Sequence, residues 1–291
     1  MRIFALSDIH VDYPENMAWV RAMSAQDYVH DTLLLAGDVS HDFARIEAGL
    51  GYLLRKFARV FFIPGNHEVW LPNSNCSDSE QKFYRVLDLS AALGVSTRPT
   101  RLSDDSSAVW IVPLLAWYVK PEEGDGSLFV PKTDEDGSLD AWSDEYFVQW
   151  PFCLTKRPAD FFLELNVPYL DRTYDAPVIS FSHFLPRAEL MFDLDRDGRG
   201  TRSMHGSRER FNFSRVAGTW ALDEQIRKLG SSVHVYGHQH RNRWRAIDGV
   251  LYVSHCLGYS EERESGQLLH FDNGPKLVWE KEGVPKETQD Y

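Results

Sequence analysis

Residues 3–10 read Ile-Phe-Ala-Leu-Ser-Asp-Ile-His, and residues 233–240 read Val-His-Val-Tyr-Gly-His-Gln-His. In both, a short apolar run stops on side chains that can ligate a metal. Three more runs end in the same way. Thr32–Ala36 (TLLLA) stops at Gly37-Asp38, Val60–Ile63 (VFFI) at Pro64-Gly65-Asn66-His67-Glu68, and Val178–Phe181 (VISF) at Ser182-His183. Continuous apolar runs of this length read as strands covered on both faces. In open α/β sheets ligands bind beyond the carboxyl ends of the strands. If these strands are parallel neighbours, the five endings converge on one rim.

Working outward, amphipathic stretches separate the early runs: Pro14 to Met23, Asp42 to Phe57 and Ser79 to Leu93 read as helices. The second half adds strands at Ala108–Val112 and Leu114–Val119, a helix near Pro158–Val167, and another from about Ala217 to Leu229. Asp248-Gly249 between Arg243–Ile247 and Val250–Ser254 is a hairpin signal, and Asn273-Gly274 between Gln267–Phe271 and Lys276–Glu280 suggests a second. Parallel units first and hairpins last point to an α/β sandwich of mixed sheets. No repeat and no linker is evident, so residues 1–291 are expected to form one domain.

The formal charge is −12, from 31 Lys and Arg against 43 Asp and Glu. Phosphate backbones and anionic membranes need cationic surface, so nucleic acid is not the expected partner. Three cysteines, Cys76, Cys153 and Cys256, show no Cys-x-x-Cys spacing; buried thiols in a reducing compartment are expected rather than a disulfide framework. Asp8 interrupts the first apolar run before a signal-peptide core could form. No stretch approaches the roughly 18 apolar residues of a membrane span. A cytoplasmic location is the expectation.

Asp, Asn and His without thiolate make a mixed oxygen and nitrogen set, suited to Mn, Fe, Zn, Co or Ni. Asp8 and His10 are two residues apart, as are His238 and His240, so a turn lets each pair reach one ion. Glycines 37, 65 and 237 allow the backbone to turn sharply and approach closely. The ordered blocks Asp8-x-His10, Gly37-Asp38, Gly65-Asn66-His67-Glu68, His183 and Gly237-His238-x-His240 resemble the signature of calcineurin-like metallophosphoesterases. The resemblance implies a four-layer α/β/β/α sandwich of two mixed sheets flanked by helices. It also implies two divalent ions, manganese first among the choices. Asp8, His10 and His240 would hold one ion and Asn66, His183 and His238 the other, with Asp38 between. His67 matches a non-ligand histidine that stabilises the transition state or protonates the leaving oxygen.

The implied reaction is hydrolysis of a phosphate ester by a hydroxide bridging the two ions, attacking phosphorus. The expected substrate is a small phosphomonoester or a phosphoprotein. A phosphodiesterase is the alternative, and a non-catalytic scaffold, as in the retromer subunit that resembles the family, ranks lower. Glu68 reads as a carboxylate that orients a histidine. His41, His205 and His255 lie near the blocks but read as structural or surface residues, and His30, His234 and His270 carry no signal. Asp193-x-Asp195-x-Asp197-Gly198 starts like a calcium loop, yet Met204 stands where the bidentate Glu belongs. The Arg-rich stretch of residues 187–215 (Arg187, Arg196, Arg199, Arg202, Arg208, Arg210, Arg215) is expected to supply at least one substrate contact. Residues 120–145 hold nine carboxylates and two lysines and read as a surface loop or lid, with Trp117, Tyr118 and Trp142 around it.

Overall fold

The computed structural model describes residues 1–105, 107–133, 135–194, 200–201, 211–268, 274–281 and 283–285. Strands β1 (Ile3–Leu6), β2 (Thr32–Leu35) and β3 (Arg59–Phe62) lie side by side and parallel, and β12 (Lys276–Trp279) pairs antiparallel with β1. The second sheet runs β10 (Arg243–Ile247), β11 (Val250–Ser254), β9 (Ser231–Tyr236), β6 (Val178–Phe181), β5 (Ala108–Pro113) and β4 (Thr100–Ser103), antiparallel only at its two outer pairs. β7 (Asp193–Leu194) and β8 (Gly200–Thr201) form a separate two-stranded ribbon.

Alternation along each strand builds the layers, because successive side chains point to opposite faces. From β1, Ile3 and Ala5 meet Ile111, Ile179, Val233 and Val253 of the other sheet in the central core. Phe4 and Leu6 face the other way, onto Val20, Ile46, Leu50 and Val86. Those last four sit on α1 (Pro14–Ala22), α2 (Phe43–Leu54) and α3 (Ser79–Leu93). On the far side, Trp110, Val112 and Val178 pack against Phe162, Leu222 and Ile226, from α5 (Pro158–Leu165) and α7 (Trp220–Lys228). Short helices α4 (Asp144–Phe147), α6 (Val167–Leu170) and α8 (Ser260–Glu264) complete the set. The order is helix, sheet, sheet, helix. Local chemistry sets the helix ends: Asp42 and Asp78 accept from the amides of Arg45 and Gln81, and Gly94 closes α3 in the left-handed conformation.

Several expectations need correction. The five strand endings belong to two stacked sheets, not one, and meet at the carboxyl ends of strands from both. Leu114–Val119 is not a strand: after Pro113, the Asn166 amide takes both backbone groups of Leu115, at 2.9 and 2.8 Å, in place of a neighbouring strand. Residues 217–219 precede α7 rather than belonging to it, with Thr219 as its cap. Lys276–Trp279 pairs with β1 instead of a hairpin neighbour; Gln267 is not in a strand, and residues 269–273 lie outside the described residues. Cys256 is buried, but Cys153 is exposed and Cys76 half-buried. Within 120–145, Leu128 and Asp144 are buried, so that segment is partly core. Among the described residues, no helix is long and apolar enough to cross a membrane.

Candidate metal centre

The backbone turns that end the strands are unusual. Asp8 (φ 50°), His10 (37°), Asp38 (57°), His238 (72°) and His240 (51°) all adopt left-handed conformations. Such a conformation costs a non-glycine residue roughly 1–3 kcal/mol and persists only where surroundings over-determine it. Here they do: the Asp8 amide donates to the Gly37 carbonyl (3.0 Å), the His10 amide to the Asp38 carbonyl (3.0 Å), and the His238 amide to the Asp8 carboxylate (3.0 Å). That last bond joins the two sheets. The glycines are equally specific. A Cβ at Gly65 would collide with the Asp38 carboxylate and the His183 ring, and one at Gly237 would sit 2.7 Å from the Asp8 carboxylate.

All seven candidate ligands from the sequence are brought together and buried or nearly so. Donor atoms of Asp8, His10 and His240 lie within 4.8 Å of one another, as do those of Asp38, His183 and His238. The Asn66 carbonyl oxygen is 3.1 Å from His183 Nε2. Asp38 is positioned between the two groups, and with His10 and His67 it forms a third such cluster. His67 itself lies 3.8 Å from the Asp38 carboxylate.

The imidazoles are set for ions. His183 Nδ1 donates to the Ala36 carbonyl (2.9 Å), His238 Nε2 to the Val216 carbonyl (2.9 Å), and His240 Nδ1 to the Glu262 carboxylate (2.7 Å). Each outward bond holds the ring so that its other nitrogen aims inward. The inward nitrogens approach closely: His183 Nε2 to His238 Nδ1 is 3.2 Å, and His10 Nε2 to His240 Nε2 is 3.0 Å. Ring nitrogens converging at that range, beside two carboxylates, suit shared divalent cations. The residues fit the ions.

The protein's own electrostatics is sharply polarised. Burial opposes the charge on Asp8, but the hydrogen bond and charge of His240 prevail and hold it at about 2. Asp38 is likewise held well below the usual carboxylate range, burial being outweighed by His183 and His67. Against the cost of burial, Asp38 and Asp8 raise His183 to about 9, and Glu262 and Asp8 raise His240 to about 10. Burial, then neighbouring imidazoles, push His10 and His238 down to about 3. Divalent ions held by this cluster would compete with the protons of His183 and His240.

Supporting residues differ from expectation. Glu68 does not orient a histidine. Its buried carboxylate accepts the amides of Asp38 (3.0 Å), Val39 (2.6 Å), Ser40 (3.2 Å) and Gly65 (2.6 Å), tying two ligand loops together. Arg187 is spent on Asp223, Glu189 and Asp248, and Arg215 on Glu135 and Glu122; the other arginines of that stretch, His205, His270 and most of the calcium-like loop lie outside the described residues. His41 pairs with Asp12, His234 sits between Ser180 and Ser182, and His255 bonds the Gly274 carbonyl. Sequence reasoning missed Glu262, one acid in the run Ser260–Glu264, and Asp144, one carboxylate among nine. Neither carries a spacing signal.

A cleft of about 250 Å³ opens over the ligands, walled by Trp70, Trp142, Phe213 and Tyr259 with Asp144 and Glu262. The His67 ring stacks on Trp70 at 3.7 Å between centroids. The sequence model of the calcineurin-like phosphoesterase family matches residues 1–242. The chain belongs to that family. Over 73 residues it is 37% identical to the [acyl-carrier-protein] phosphodiesterase PptH of Mycobacterium tuberculosis, a stretch covering 24% of this chain and 22% of that relative's length. The crystal structure of the phosphopantetheinyl hydrolase PptH from the same organism matches with a TM-score of 0.72 at 20% identity, over 95% of both chains. That likeness shows a shared phosphoesterase fold across nearly the whole chain.

Proposed function

We propose that the chain is a cytoplasmic, metal-dependent phosphoesterase working as one domain, with a phosphodiester as its preferred substrate class. One observation carries the preference over a monoester. The described residues lining the cleft include aromatic rings and carboxylates but no lysine or arginine, while Arg187 and Arg215 are ion-paired elsewhere. A monoester dianion would have only the ions to neutralise it; a diester carries a single charge and an apolar flank that the aromatic walls accommodate. The relative's name, an acyl-carrier-protein phosphodiesterase, points to a diester on a carrier protein, which is also a phosphoprotein.

Two ions, manganese first, would supply an activated water and neutralise the phosphoryl oxygens. Asp8, His10 and His240, and Asn66, His183 and His238, would hold them, with Asp38 shared. His67 holds a proton at the cleft wall for the departing ester oxygen. Burial lowers its pKa below the usual 6.5, with Asp38 and Asp12 only partly opposing the shift. Turnover of bis(p-nitrophenyl) phosphate and p-nitrophenyl phosphate with Mn2+, and of a phosphopantetheinylated carrier protein followed by intact mass, tests the reading. Diester turnover should exceed monoester turnover by tenfold or more; the reverse order would overturn the proposal.

A further inference from the structure

Asp144 comes from the start of α4, 78 residues from Asn66 in the chain, yet its buried carboxylate sits at the heart of the site. Three N–H donors converge on it. Asn66 Nδ2 donates to Oδ1 at 2.9 Å, Trp70 Nε1 to the same oxygen at 2.6 Å, and Trp142 Nε1 to Oδ2 at 2.9 Å. Each donor belongs to a different working part. Asn66 has an amide whose two ends are nearly equal in shape, and donation from its nitrogen to Asp144 leaves its oxygen facing His183. Trp70 is the surface on which His67 lies. Trp142 meets the His238 ring edge-on at 5.6 Å.

An ionised carboxylate accepts and never donates, so only a carboxylate suits three donors at once. We infer that Asp144 is the positioning residue for the Asn66–His183–His238 half of the centre, orienting Asn66 directly and His67 and His238 through two indoles. The inference rests on the reading of Asn66 as an ion ligand. The segment does not depend on Asp144 for its place. The Leu71 amide donates to the Phe147 carbonyl (2.8 Å), and Ser79 and Gln149 bond each other through the Ser79 amide and hydroxyl (2.8 and 3.0 Å). Changing the carboxylate should therefore leave the strap docked.

The test is Asp144→Asn, with Mn2+ as the probe, read by isothermal titration and by activity on bis(p-nitrophenyl) phosphate. Asparagine keeps one acceptor oxygen but turns an NH2 group toward one donor. One ion should bind as in wild type, the other about ten- to a hundredfold more weakly, with kcat falling more than KM changes. Asp144→Asn combined with Trp142→Phe removes the opposed donor, and second-ion affinity should return to within about threefold of Trp142→Phe alone. Loss of both ions equally with no rescue, or two ions bound as in wild type, would overturn the assignment. Wild-type protein that takes up no Mn2+ would bring down the metal reading, and this inference with it.

Discussion

Replacing Glu68 with glutamine is the sharpest probe of how the ligand loops are held. The side chain keeps its size, but one of its two acceptor oxygens becomes an NH2 group. The amides of Asp38 and Gly65 converge on one oxygen and those of Val39 and Ser40 on the other. Whichever way the glutamine turns, two amides face a donor in a site closed to solvent. An unsatisfied buried donor costs about 1–3 kcal/mol, so the pair costs about 2–6 kcal/mol. At about 2 °C per kcal/mol for a chain of this size, the unfolding midpoint should fall by about 4–12 °C. Burial, with Asp38 adding to it, raises Glu68 to about 7, so the comparison belongs at pH 8.5, where the wild-type group is ionised. Calorimetry of chelator-treated protein gives the midpoint, and Mn2+ titration gives the affinity, which should fall with it. A midpoint within about 1 °C of wild type at that pH would refute the bracing role.

His67→Ala should lower kcat about a hundredfold or more while leaving the Mn2+ content of the purified protein intact; full turnover would remove His67 from the reaction. Glu262→Gln weakens the partner of His240 Nδ1 and should reduce affinity at the Asp8–His10–His240 group about tenfold or more in a Mn2+ titration. His234 is buried neutral, burial pushing it from 6.5 down to about 3. A depressed folded pKa contributes stability present above 6.5 and lost as pH falls toward 3. At pH 4.5 about 2–3 kcal/mol of it should be gone, and urea unfolding of His234→Gln should show a correspondingly shallower acid dependence than wild type.

The strand endings were legible because they combine two independent signals, an apolar run and a ligating side chain at its carboxyl end. Asp8, Asp38 and His183 stand out for that reason. Other features depend on contacts that no local pattern encodes. Leu114–Val119 has the composition of a strand, yet Asn166, about 50 residues away, satisfies its backbone instead. Glu68 sits beside a histidine in sequence but spends its carboxylate on backbone amides of its own loop and of residues 38–40. Asp144 and Glu262 are surface-like acids by composition, and only the folded arrangement shows that each is folded inward against a ring or an amide of the site. Arg187 carried the right chemistry for phosphate, but Asp223 claims it. Sequence proximity to the motif was a poor guide to direction.

The hydrogen bond from the His238 amide to the Asp8 carboxylate bridges the two sheets at the edge where the candidate ligands gather. Ions seated there would act as rivets through the sandwich, since Asp8, His10, Asp38 and Asn66 project from one plate and His183, His238 and His240 from the other. Stripping the ions should let the plates part first along that seam. Amide exchange in residues 36–39 and 236–239 should then quicken well before that of β5 in the interior of the second sheet.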